Sequence, residues 1–219
     1  MKVLITCGPA YEPVDEVRRL TNFSTGRLGI ALANDFTRRG WRVTCLKGEQ
    51  ATCCDPIEAA VVDRFTTNDD LAAKLEALSK SEPFDVVLHA AALGDFRVAR
   101  IEDSQGRTLS SPKLDSRSGE VRLVLAPATK VLPKLRNWFP HARIVGWKYE
   151  LDDTREAAIE KARRQLDACA TDGCVLNGRA YGIGFAICTR DGGVIPCASV
   201  SALAASLAEW LQRVPVYAR

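Results

Sequence analysis

No stretch of this sequence is apolar for anything near the roughly 18 residues that a membrane-crossing helix needs. With 47% hydrophobic and 26% charged residues the balance is that of an ordinary globular protein, so a membrane partner is not expected. Charge of one sign is also scarce. A formal net charge of +3 is too small to mark a DNA or RNA binder, though it is compatible with a small anionic substrate. None of the 8 cysteines forms a Cys-x-x-Cys pair, and Cys53 and Cys54 are adjacent, which suits neither zinc chelation nor an unstrained bridge. No metal ligand set is assigned. The opening MKVLITCGPAYEP has neither the long apolar core nor the small-residue cleavage site of a signal peptide, so the chain is expected in the cytoplasm with its thiols reduced. Three nucleotide signatures are missing as well. There is no G-x-x-x-x-G-K-[ST], which excludes an ordinary P-loop. The absence of G-x-G-x-x-G after the first strand, and of a Tyr followed four residues later by Lys, weighs against a dinucleotide-dependent reductase.

What is present is an alternation of short apolar runs and amphipathic segments. Val3 to Thr6 reads as a buried strand ended by Gly8-Pro9, and a loop runs from there to about Ser24. Thr25 to Arg39 reads as a helix with Leu28, Ala31, Leu32 and Phe36 inward and Gly40 as its stop, and Trp41 to Leu46 as the next strand. Strand, helix, strand at this spacing is a right-handed βαβ unit with parallel strands. Asn68 is placed as the cap of a helix bearing Leu71, Leu75 and Leu78, and Phe84 to His89 as a further strand. Between about 97 and 125 the pattern changes to alternating pieces with Gly106 and Gly119 at turns, which predicts a β-hairpin flap. Afterwards Ala142–Gly146, a helix near Thr154 to Ala168 and Gly173–Asn177 restore the alternation. A hairpin, Phe185–Cys188 with Val194-Ile195, and a helix ending near Arg213 follow. The expectation is a single nucleotide-binding domain over 1–219, α/β and Rossmann-like. Its doubly wound, mostly parallel sheet has helices on both faces and a flap at about 97–125.

In such sheets ligands gather beyond the carboxyl ends of the strands. The first such loop, from Gly8 onward, carries Arg18, Asn22 and Ser24-Thr25-Gly26-Arg27 directly before a helix. There, unpaired N–H groups and a close-approach glycine suit a phosphate. Simple capping by Ser24 or Thr25 explains the same segment. The second loop, Ala90 to Arg97, offers small residues for a flat ligand and Asp95 for a ribose hydroxyl or a metal-bound phosphate. His89 reads as a core histidine, and Lys113 as a flap cation able to reach a polyphosphate.

Together these segments resemble the phosphopantothenoylcysteine synthetase (phosphopantothenate-cysteine ligase) family over about the whole chain. The resemblance rests on Arg18-x-x-x-Asn22-Phe-Ser-Thr-Gly-Arg27, on Ala90-Ala91-Ala92-Leu-Gly-Asp95-Phe96, and on Lys113-Leu114 with Gly119 after it. Gly146-Trp-Lys-Tyr-Glu150 and Val175-Leu-Asn177 complete it. It implies a ligase that joins 4'-phosphopantothenate to cysteine through an acyl nucleotide in coenzyme A biosynthesis, using CTP or ATP and Mg²⁺. It also implies a homodimer with the flap near its interface. By the same resemblance Lys113 serves activation, Asn22 the acyl intermediate, and Arg18 with Gly8, Ser24, Thr25, Gly26 and Arg27 the phosphate groups. Ala91, Asp95, Phe96 and Asn177 would hold nucleotide or its metal. The sequence departs from the family at Gly8-Pro9-Ala10, where Gly-Gly-Thr is usual, and at Asp115-Ser116, where bacterial members carry lysines, so the base stays open. The family's fused flavin-dependent decarboxylase has no counterpart in the sequence, and flavin is not expected. A nucleotide-binding relative without ligase activity and a Rossmann-type NAD(P)-dependent reductase remain the alternatives.

Overall fold

A computed structural model describes residues 1–115, 117 and 119–213; Ser116, read in the sequence as part of a departure, lies outside the described residues. The chain opens with strand β1 (Lys2–Cys7), followed by a short hairpin of β2 (Tyr11–Pro13) and β3 (Arg19–Thr21), then helix α1 (Arg27–Arg38). Next come β4 (Arg42–Gly48), β5 (Val61–Phe65), α2 (Asn68–Ser81) and β6 (Val86–His89). The flap is β7 (Phe96–Asp103) and β8 (Val121–Pro127). After a single 3-10 turn, α3 (Leu135–Trp138), β9 (Arg143–Tyr149), α4 (Arg155–Ala168) and β10 (Gly173–Asn177) follow. The hairpin β11 (Phe185–Thr189) and β12 (Val194–Cys197) and helix α5 (Val200–Arg213) end the described fold.

The main sheet has the order β12-β11-β10-β9-β6-β1-β4-β5, parallel from β10 through β5 and antiparallel only in the β11–β12 edge. Alternate side chains of β1 face opposite layers, as the period of two requires. Val3 and Ile5 pack with Leu32 and Phe36 of α1 and with Leu203 and Leu207 of α5. Leu4 packs on the other face with Leu71 and Leu75 of α2 and Leu135 of α3. Helix α4 covers Cys174 and Leu176 of β10 on that second face through Ala158, Ala162 and Leu166. The doubly wound expectation is met, including the buried thiols of Cys7, Cys45, Cys174 and Cys188 inside strands.

Several boundaries differ from the sequence reading. Helix α1 begins at Arg27 because Gly26, at φ 78, holds a left-handed turn that a helix cannot run through. Its inward face uses Ile30 and Ala33, with Ala31 half-buried. Asn68 is not the cap of α2: Thr67 is, its side chain accepting from the Asp70 N–H at 3.1 Å. The crossover from β4 to β5 contains no helix. Instead Asn34 of α1 holds that segment at both its amide ends, donating to Pro56 O at 2.9 Å and accepting from Glu58 N–H at 2.8 Å.

Candidate active site

The strand order reverses between β1 and β6, so the crevice beyond Cys7 and His89 is where a doubly wound sheet takes its ligand. The two chains stay paired past their strands. Ala92 N–H donates to Gly8 O at 2.9 Å and Ala10 N–H to Ala92 O at 3.1 Å, which fixes both loops at one level. The start of α1 is pressed onto this point by glycines. A Cβ on Gly29 would lie 2.2 Å from Cys7 Cβ, and one on Gly26 would meet the Ala51 Cβ at 3.0 Å and the Gly8 Cα at 3.5 Å. Gly8, Gly26 and Gly29 thus perform the tight turn, the close approach and the helix–strand contact that G-x-G-x-x-G performs in one run. Here residues 9–25 are inserted after the first glycine, which is why a search for the contiguous motif finds nothing. No side chain caps the helix by the usual bond; Thr25 Oγ1 accepts from Arg27 N–H at 3.3 Å. The next first-turn N–H groups, of Leu28 and Gly29, are left without a side-chain cap and face an anion site at the switch point.

The inserted residues carry the other predicted groups. Asn22 donates from Nδ2 to Leu93 O at 3.0 Å, tying the first loop to the second. Arg18 is committed to its own hairpin and to the flap: Nη1 meets Asp15 Oδ2 at 2.5 Å and Nη2 donates to Leu114 O at 3.2 Å. Asp15 also accepts from the N–H groups of Val17 and Arg18 and, at 3.1 Å, from that of Leu114. These donors, with the Leu114 N–H foremost, hold its carboxyl down at about 2. Glu16 N–H donates to Pro112 O at 3.0 Å, so the exposed Lys113 is held between two backbone contacts to the hairpin.

Beyond β6, Gly94 and Asp95 form a wall shared by two cavities of about 220 and 210 Å³. Asn22, Glu12 and Phe96 line the first, while Ala91, His89, Lys130 and Trp147 line the second. Asp95 pairs with Lys130, a residue the sequence reading did not single out. Asn177 ends β10, three strands from β1, and lines neither cavity. Ser24 is half-buried and Arg27 exposed beside the open helix end. His89 is buried, as expected of a core histidine, yet it reaches the second cavity. Thr6 Oγ1 accepts from Ala91 N–H at 3.3 Å and lies 2.8 Å from His89 Nδ1, a contact in which either the hydroxyl or the ring nitrogen can donate. Burial lowers the imidazole to about 4 and keeps it neutral near pH 7.

Residues 1–203 match the model of the DNA/pantothenate metabolism flavoprotein C-terminal domain. The chain belongs to this family. Among its relatives is the coenzyme A biosynthesis bifunctional protein CoaBC of Thermococcus kodakarensis, 30% identical over 177 residues that make up 80% of this chain and 41% of that protein. The chain spans less than half the length of the relatives it matches. In fold it is similar to the DNA/pantothenate metabolism flavoprotein of Streptococcus pneumoniae, with a TM-score of 0.84 at 21% identity over 97% of this chain and 98% of that one. It is also similar to a Cab2 variant in complex with phosphopantothenate-cysteine, with a TM-score of 0.71 at 20% identity over 96% and 87% of the two chains.

Proposed function

We propose that this chain, as a single domain over 1–219, is a ligase that joins 4'-phosphopantothenate and cysteine at the expense of CTP or ATP. The observation that carries this reading is the docking of the flap on the hairpin through Asp15, which holds Lys113 on the same insert that bears Asn22. That insert leads straight into the open N-terminus of α1. A carboxylate condenses with an amine only after gaining a better leaving group. In this reading the substrate carboxylate attacks the α-phosphorus, pyrophosphate leaves, and the amine of cysteine displaces the nucleoside monophosphate. Negative charge builds near the α-phosphate and the acyl carbon, where Lys113, the α1 N–H groups and the Asn22 amide supply fixed donors. Arg18 serves by holding the flap, and Ala91, Asp95, Phe96 and Asn177 by shaping the nucleotide side. The phosphopantothenate-cysteine bound to the Cab2 variant supports the choice of product.

Magnesium fits as an ion held chiefly by phosphate oxygens and water, the usual mode for a triphosphate. Among the described residues no group of three or more His, Cys, Asp or Glu side chains gathers into a cage, and Asp95, with Glu12 in the same cavity, is a carboxylate at hand in the crevice. The ion would neutralise charge on the triphosphate. A homodimer is supported by apolar residues left exposed on the hairpin, Val17, Leu20 and Phe23, and on the flap, Leu123 and Leu125. A cytoplasmic setting suits the reduced thiols, and among the described residues no helix is long and apolar enough to cross a membrane.

The test is pyrophosphate release with phosphopantothenate, cysteine and each triphosphate in turn. One pyrophosphate per amide formed is expected, and the faster triphosphate identifies the base. No release with CTP or ATP, together with thermal stabilisation by NADPH, would overturn the reading in favour of a reductase.

A further inference from the structure

The cavity between the hairpin and the root of the flap has apolar walls of Ala10, Leu20, Phe96 and Leu125, and its polar lining is rich in hydrogen-bond acceptors. Among the described residues neither lysine nor arginine lines it, while Glu12, Asn68, Asp95, Thr21 and Asn22 do. Asn68 is 1% exposed and spends both amide hydrogens, donating to Gly94 O at 2.8 Å and Thr129 O at 3.0 Å. Those two carbonyls settle which atom is oxygen, and that Oδ1 is sealed from solvent without a partner. Thr21 donates its hydroxyl proton to Ala10 O at 2.7 Å, and Asn22 gives an amide hydrogen to Leu93 O, so what each has left includes an acceptor oxygen. Burial is the largest influence on the Glu12 carboxyl and raises it, against the nearby Asn68 backbone N–H and Arg97, which lower it. With Asp95 paired to Lys130, the acceptor oxygens of Glu12, Thr21 and Asn22 suit a compact ligand with N–H donors and a positive charge better than an anion.

We propose that this cavity receives the primary amine of the amino-acid substrate, with Glu12 holding the ammonium and taking its proton before the amide bond forms. The assignment rests on the ligase reading and specifies its second half-reaction. Glu12 takes one proton from the ammonium and frees the nitrogen lone pair. The nitrogen attacks the acyl carbon of the acyl nucleotide, the C–N bond forms, and the acyl C–O bond breaks with its electron pair leaving on the nucleoside monophosphate. The second proton on nitrogen passes to solvent. Asn22 shares the cavity and stands four residues before Gly26, the cap of the phosphate-binding helix end.

Three measurements test this. With the parent protein, cysteamine, which keeps the amine, competes with cysteine, and 3-mercaptopropionate, which lacks it, does not. In Glu12→Gln a pyrophosphate burst is followed by accumulation of acyl nucleotide visible by mass spectrometry. Its capture by cysteine slows about 100-fold, typical of a lost general base, whereas hydroxylamine, already neutral at pH 7, captures it nearly as fast as in the parent. Raising the pH restores part of the cysteine rate. That profile is read against the other charges facing Glu12, namely Asp69 of α2, Arg97 of β7 and the cavity carboxylate Asp95. Glu12→Asp, which keeps the base on a shorter arm, falls between parent and Gln variant. Equal capture of cysteine by parent and Gln variant, loss of the burst in a folded variant, or competition by 3-mercaptopropionate as strong as by cysteamine overturns the assignment. Absence of pyrophosphate from the parent itself is a different result and overturns the ligase reading.

Discussion

The Asp15 carboxylate accepts a hydrogen bond of 3.1 Å from the backbone N–H of Leu114, a residue 99 positions along the chain and next to Lys113. This long-range contact positions the flap on the hairpin. With the Arg18 guanidinium bridging the same two segments, it makes Lys113 part of the first loop's geometry rather than a loose surface charge.

Asp15→Ala is expected to release the flap, with faster hydrogen exchange at the Leu114 amide and a raised KM for the triphosphate. The contact is also pH-dependent, and its sign follows from the lowered carboxyl. The folded group titrates near 2 against an ordinary 3.8, so its stabilisation is present above about 3.8 and is lost as pH falls toward 2. Leu114 exchange measured between pH 5 and pH 2 at constant salt checks this, after correction for intrinsic exchange. Protection unchanged in the Ala variant would show that the flap is held by other means.

Lys113 and Asn22 are expected to separate the two half-reactions. Lys113→Gln removes a charge facing the triphosphate and loses about 3 kcal/mol of barrier lowering, roughly a hundredfold in pyrophosphate release. Asn22→Asp keeps the shape but sets a negative charge beside the acyl phosphate, so one pyrophosphate per site is released while capture by cysteine fails. Quenched-flow assays with mass spectrometry of the acyl nucleotide distinguish the two. Wild-type turnover by both variants would reduce these residues to a surface charge and a loop cap.

The helix–strand contact gives a third outcome. Gly29→Ala puts a Cβ 2.2 Å from Cys7 Cβ, which only a shift of α1 relieves. A destabilisation of about 1–3 kcal/mol is expected from such overpacking, with weaker triphosphate binding because the helix end moves. Gly40→Ala is the control: nothing lies within 4 Å of its Cβ, and the strain of φ 81 affects stability alone. Calorimetry with and without triphosphate separates the effects, and equal nucleotide affinity in both variants would free the α1 terminus of the role given to it.

How far the sequence could be read follows from which residues carry their own context. β10 (Gly173–Asn177) was legible to its ends because it is a continuous apolar run between a helix and a glycine turn. β5 (Val61–Phe65) was missed because it is an edge strand: Val61 and Val62 are 42% and 46% exposed and Asp63-Arg64 interrupt the apolar pattern. Asn68 and Thr67 are equally good caps on paper, and only the burial of Asn68 between the Gly94 and Thr129 carbonyls decides between them. At the site, the Asn22 loop was visible because its residues are contiguous. The glycine cradle was not, since its members lie on either side of residues 9–25, and neither was the Asp95–Lys130 pair, whose partners are 35 residues apart.

His89 ties stability to pH in a way that separates it from surface histidines. Its imidazole is buried, has only Thr6 as a hydrogen-bond partner among the described residues, and titrates near 4 instead of the ordinary 6.5. Below 6.5 the unfolded chain takes up a proton that the folded chain refuses, so the unfolded state binds more protons and stability falls as the pH is lowered. The loss runs from about 6.5 down to about 4 and levels off below, where the folded ring protonates too. A difference of that size corresponds to about 3 kcal/mol over the window, as an order of magnitude. Urea denaturation at pH 7, 5.5 and 4.2 is expected to show it as a falling midpoint. His89→Leu is expected to flatten the profile across that window while lowering stability at pH 7, because the buried Thr6 hydroxyl loses its hydrogen-bond partner on the ring. If the Leu variant keeps the slope of the parent, the proton is taken up elsewhere, and His89 is not the neutral buried ring that faces the second cavity.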